Sequence, residues 1–144
     1  MAAGTWSVYG PAKTRLVNAE IDMNGHTFKC LLLGTGYTPN LSTDDDLADV
    51  TANEIADAGY ARVTLTGVAV NYSGGTVTVD CDNISFGTAV TISAKRAALY
   101  DDTHASDALL AVVDLNTAGT ASVAASTSGT FQITIDAAGV FTVV

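Results

Sequence analysis

Charge is what this sequence has least of. Charged residues fill 15% of its 144 positions, against about 25% in an average soluble domain, so Thr, Ser, Asn, Gly and Ala must cover much of the surface. Basic residues are the scarcer kind. Six Lys and Arg stand against fifteen Asp and Glu, a formal net charge of −9. Such a field repels phosphate backbones, which argues against direct nucleic-acid binding. Long apolar runs are also missing: no window holds the ~18 consecutive apolar residues that span a bilayer, so no membrane partner is expected. The start, Met1-Ala2-Ala3-Gly4-Thr5, has neither the basic nor the apolar region of an export signal. The expectation is a protein made in the cytoplasm that stays there or leaves inside a larger particle.

Cysteine and histidine are nearly absent too. Cys30 and Cys81 would be able to pair, but without an export signal free thiols are the better reading. No Cys-x-x-Cys pattern occurs, so neither a zinc site nor a redox motif is indicated. A nucleophile, base and orienter need a histidine within reach of a Ser or Cys, and only His26 and His104 exist, both behind turn residues. Gly-x-Ser-x-Gly, His-Glu-x-x-His, Walker-type and dinucleotide fingerprints do not occur. Two acidic clusters offer oxygen ligands: Asp44-Asp45-Asp46 with Asp49, and Asp101-Asp102 with His104 and Asp107. Neither has the EF-hand spacing, so helix capping and solvated turns explain them better than metal. The expectation is no catalytic residue, no metal and no cofactor: a protein that is not an enzyme.

What is present is alternation. Ala61 to Val68 and Thr76 to Cys81 place apolar residues at every second position, the period of a half-buried strand. Gly74-Gly75 between them supplies the positive φ of a tight turn, which predicts a hairpin over about residues 61 to 82. Further strands are predicted at Arg15 to Glu20, Thr27 to Leu33, Ala89 to Tyr100, Phe131 to Ile135 and Val140 to Val143. Asp107 to Leu115 is a continuous apolar run without a diagnostic period, open between helix and strand, with strand favoured by Val112-Val113. Residues 117 to 128 read as a loose loop or a poorly specified edge strand.

The length suits one domain, 1–144, with 1–10 as a candidate docking arm. The predicted fold is all-β, an antiparallel sandwich or jelly-roll-like barrel, with one long connection from Leu33 to Tyr60 that carries a short helix near Ser42 to Val50. Loops of that length usually bind or regulate. Phe28, Phe86, Phe131 and Phe141 are core candidates. Trp6 and Tyr9 either close this domain's core or form an arm that docks on a partner. Tyr37 and Tyr60 fall in or near loops. These four, Trp6, Tyr9, Tyr37 and Tyr60, are the candidate partner-binding residues.

The run Ala52-Asn53-Glu54-Ile55-Ala56-Asp57-Ala58-Gly59-Tyr60 and the segment Ala98-Leu99-Tyr100-Asp101-Asp102, with Trp6-Ser7-Val8-Tyr9 and Phe28-Lys29-Cys30-Leu31-Leu32, resemble small virion proteins encoded beside the major capsid protein of tailed bacteriophages. The resemblance covers most of the chain and rests on strand and turn patterns. It implies a capsid decoration or cement protein on the virion surface, with the major capsid protein as partner and a homo-oligomer, a trimer by analogy. A tail or head-fibre component is the near alternative. A carbohydrate-binding or adhesive module, with exposed Tyr37, Tyr60 and Tyr72 beside acidic loops, is the alternative from another class.

Overall fold

The computed structural model describes residues 4–119 and 122–144. Met1 to Ala3 of the candidate arm and residues 120 and 121 of the small-residue stretch lie outside the described residues. The fold is mostly β, 43% strand and 9% helix, built of antiparallel sheets with two short helices. Among the described residues no sheet closes into a barrel.

The main sheet has five strands. In chain order they are β1 (Ser7–Val8), β2 (Phe28–Leu33), β3 (Val63–Thr64), β7 (Arg96–Asp101) and β8 (Ala108–Asp114), arranged β1-β8-β7-β2-β3. β2, β7 and β8 are buried along almost their whole length. A strand covered on both faces has no polar side to show, hence the unbroken apolar run in β8 and its missing period. That run is a strand, as Val112-Val113 indicated.

β4 (Ala69–Ser73), β5 (Thr76–Asp80) and β10 (Phe141–Val143) form a three-stranded sheet ordered β10-β5-β4. Gly74 and Gly75 join β4 to β5 with φ of +57° and +88°, the two left-handed positions of a tight hairpin turn. β6 (Ile84–Ala94) and β9 (Ala124–Ile133) make a two-stranded ribbon with register shifts along it. Phe86, Ile92, Phe131 and Ile133 of that ribbon share one core with Leu31, Leu99, Leu110 and Tyr9.

Several boundaries differ from the sequence expectation. The strand expected at Arg15 to Glu20 is the end of a helix, α1 (Gly10–Val17), and the turn after it. Pro11 sits in the first turn of α1, where its missing N–H costs nothing. The expected hairpin shortens to Ala69–Asp80, because Gly67 takes φ +62° and Val63–Thr64 pairs with β2 instead. The run expected over Ala89 to Tyr100 is two strands, parted at Lys95. Of the two readings of the small-residue stretch, edge strand holds from Ala124, where β9 begins. The short helix, α2, is Ala48–Thr51.

Candidate interaction surface

The four aromatic residues singled out from the sequence are held by the fold itself. Gly4 donates its N–H to the Asp114 carbonyl at 3.0 Å and Tyr9 to the Leu110 carbonyl at 3.1 Å, so residues 4–9 run along the edge of the main sheet, with Ser7–Val8 as its edge strand. Trp6 is 9% exposed and Tyr9 fully buried. Tyr37 donates its hydroxyl proton to Asp44 at 2.7 Å. The Tyr9 hydroxyl, 2.7 Å from that of Tyr37, is therefore the donor in their bond. Burial pushes the Tyr9 hydroxyl pKa up to about 12. Burial and the bond to Asp44 raise that of Tyr37 too. Arg96 donates to the Tyr37 carbonyl.

Tyr60 is half-buried on another part of the core. Its ring stacks on Phe86 at 6.0 Å. Its hydroxyl accepts the Leu32 N–H at 3.1 Å and donates to Glu54 at 2.6 Å. Arg62 closes the group with two bonds to Glu54, at 2.8 and 2.6 Å, and lies over the Tyr100 ring. Burial opposes ionisation of Glu54, but the bonds from Arg62 and Tyr60 outweigh it and hold the carboxyl below its usual range. The structure thus brings Tyr9 and Tyr37 together in one buried pair and places Tyr60 in a separate hydrogen-bonded group.

The acidic clusters and histidines are engaged with backbone. Asp49 accepts the N–H groups of Asp45 and Asp46 at 2.8 and 3.3 Å, and Asp46 accepts that of Ala48 at 3.0 Å. Asp45, Asp46 and Asp49 place carboxylate oxygens within 4.8 Å of one another. Arg15 donates to the Asp45 carbonyl. Buried Asp101 accepts the N–H groups of Thr103 and His104, and faces Nδ1 of His26 at 2.6 Å. Asp102 pairs with Lys29 at 2.8 Å. These are turn and cap roles.

Exposed apolar surface collects on the small sheet. The register sets Phe141 and Val70 on either side of Val79, and Val143 and Tyr72 on either side of Val77. Residues directly opposite one another, or two apart on one strand, share a face. One face of the sheet is therefore six apolar side chains in two rows. Leu16, Ile21 and Met23, at and beyond the end of α1, meet that face across a groove of about 370 Å³ lined by Val70, Val77, Val79, Phe141 and Val143. Coverage is incomplete: Tyr72 is 75% exposed and Val143 56%, and Val17, Val70 and Val144 are exposed as well. Contiguous apolar surface of this kind marks interaction sites. The alternation of β5 was visible in the sequence, but β4 fell in the stretch read as the connection before it, and which face would lack a cover was not legible. Of the three tyrosines expected at a glycan-facing surface, Tyr72 alone is exposed.

A wider cleft of about 630 Å³ lies between the first strand and β10, with Trp6, Lys13, Asp136 and Phe141 among its lining residues. Comparison of the chain with protein-family models, with curated proteins and with solved structures finds no match.

Proposed function

We propose that this chain is a non-enzymatic structural protein of a bacteriophage particle, decorating and stabilising the capsid by binding the major capsid protein. The observation that supports it best is the apolar face of the β10-β5-β4 sheet, which offers a broad protein-binding surface on a framework whose histidines and acids are engaged in turns. The phage assignment itself comes from the sequence resemblance. On this reading the main sheet and the β6–β9 ribbon, which share one core, are the two layers of a sandwich. A decoration protein that binds only the expanded shell stabilises it by mass action. The acidic surface keeps free copies soluble and away from packaged DNA.

The test is co-sedimentation of the purified protein with shells assembled from the major capsid protein encoded beside it. Saturable binding in hundreds of copies per particle is the expected result. Binding in tens of copies or fewer would point to the tail or fibre role. Absence of shell binding together with retention on a glycan array would favour the carbohydrate-binding alternative.

A further inference from the structure

We propose that the free edge of β4 and the apolar face beside it take up an extended segment of a partner polypeptide, one with apolar residues at alternate positions and lysine or arginine between them. The inference rests on the reading of this face as the binding surface and names its partner's chemistry.

The first observation is the edge itself. Among the described residues β4 pairs with β5 alone, so its other side carries unpaired backbone N–H and C=O groups. Proteins usually blunt such an edge with charge, proline, a bulge or a cover. β4 reads Ala-Val-Asn-Tyr-Ser, without charge or proline, and its register with β5 has no bulge. An added strand would satisfy these groups.

The second observation is the pair of cross-strand rows. Phe141, Val79 and Val70 form one row, and Val143, Val77 and Tyr72 the other. Each ends at β4. A strand added there would continue both rows with side chains at alternate positions, which would cover Val70 and Tyr72.

Charge selects the occupant. On the opposite face of the sheet, between the rows, Asp80 of β5 stands across from Ala69 of β4, and Asp82 follows just beyond the strand. Among the described residues neither carboxylate has a Lys or Arg within ion-pair distance. Arg15, Lys29, Arg62, Lys95 and Arg96 each already face a carboxylate elsewhere. A second copy of this chain would bring the same acids and its own net charge of −9 against them, which disfavours it. A strand whose apolar residues continue the rows turns the residues between them to the face of Asp80, where lysine or arginine complements it.

The probe is a short synthetic peptide of alternating lysine and valine, with an alternating glutamate and valine peptide as control. The lysine peptide should bind, slow hydrogen exchange at the edge-facing amides of Ala69 to Ser73, and weaken as salt rises. Tyr72→Lys, on a largely exposed side chain, should cut its affinity about tenfold with no change in circular dichroism. Asp80→Asn should cut it about threefold and flatten the salt dependence. Equal binding of both peptides, no binding of either, or indifference to Tyr72→Lys would overturn the proposal. So would a concentration-dependent dimer in sedimentation that Tyr72→Lys abolishes, since the occupant would then be a second copy. Shell binding lost in Tyr72→Lys without any lysine-peptide binding would refute the partner chemistry and leave the decoration reading standing. Peptide binding without shell binding would do the reverse.

Discussion

The Nζ of Lys95, on a side chain only 1% exposed, lies 3.0 Å from Oδ1 of Asp114. The same ammonium donates to the carbonyls of Asn116 and Gly119, so one buried cation gathers the turn that leaves β8. Its backbone N–H meets the Leu33 carbonyl at 2.9 Å, and its own carbonyl accepts the Leu115 N–H at 2.9 Å. Lys95 stands where β6 ends and β7 begins, which ties the ribbon to the main sheet.

Replacing Lys95 by Met should therefore destabilise the protein well beyond the effect of a surface change. Two carbonyls and a partly exposed carboxylate would lose their donor, a cost of about 2–3 kcal/mol after allowing for solvent at Asp114. Urea denaturation of wild type and variant measures it. A difference under about 0.5 kcal/mol, the usual range for surface substitutions, would show that the clamp contributes nothing.

Glu54 predicts a pH dependence. Its carboxyl titrates below the usual range in the folded protein, because the bonds from Arg62 and Tyr60 outweigh the opposing effect of burial. A lowered folded-state value means that the stabilisation is fully present above the unfolded value. It is lost as pH falls through the folded one. Glu54→Gln should cost about 1 kcal/mol at neutral pH, a modest figure because Arg62 is partly exposed. The difference between wild type and variant should shrink as the pH drops below the ordinary carboxylate range. A gap that stays constant from pH 7 to pH 3 would contradict the assignment.

Both thiols should be present and slow. Cys30 and Cys81 are free and buried. Burial raises the pKa of Cys30 well above normal, and burial with the neighbouring Asp80 and Asp82 raises that of Cys81 to about 12. The thiolate is the reactive form, so a thiol reagent near pH 8 should label the native protein far more slowly than the denatured one. Titration under denaturing, non-reducing conditions should find both. Finding neither would mean that they are joined.

Deletion of residues 1 to 10 should unfold the domain, or nearly so. The cut removes β1 from the main sheet and takes away Trp6 and Tyr9, whose rings fill the core. Trp6→Ala alone should cost about 3–5 kcal/mol, as large-to-small changes at buried aromatics do. Thermal melts of the truncated and substituted proteins test this. A truncated chain with an unchanged melt would return Trp6 and Tyr9 to the role of a docking arm.

Local signals were legible wherever a single residue type settles the backbone. Gly74-Gly75 marked the hairpin turn because two consecutive left-handed positions suit almost nothing else, and the alternation of Thr76 to Asp80 marked β5. Thr27 to Leu33 read as a strand, whereas Asp107 to Leu115 stayed open between helix and strand, because burial on both faces erased the period that tells them apart. α1 was missed because it buries little beyond Ala12, so no amphipathic stripe marks it; Gly10-Pro11 was the available clue.

Composition alone determined an acidic, turn-rich β protein, since few charges and many small polar residues fit half-covered strands better than helices. Tertiary packing decided the rest. Tyr9 and Tyr37 are far apart in the chain and meet only because the sheet brings β1 beside the long connection, which turned two candidate surface rings into core. Tyr72 reads in sequence as part of a turn, yet it stands with Val70 and Val143 on one face of the small sheet. Tyr72 and Val143 end the row through Val77, which is less covered than the row through Val79, and Val70 lies at the free edge. A period of two states that a strand has two faces; only the placement of every other element states which face meets water.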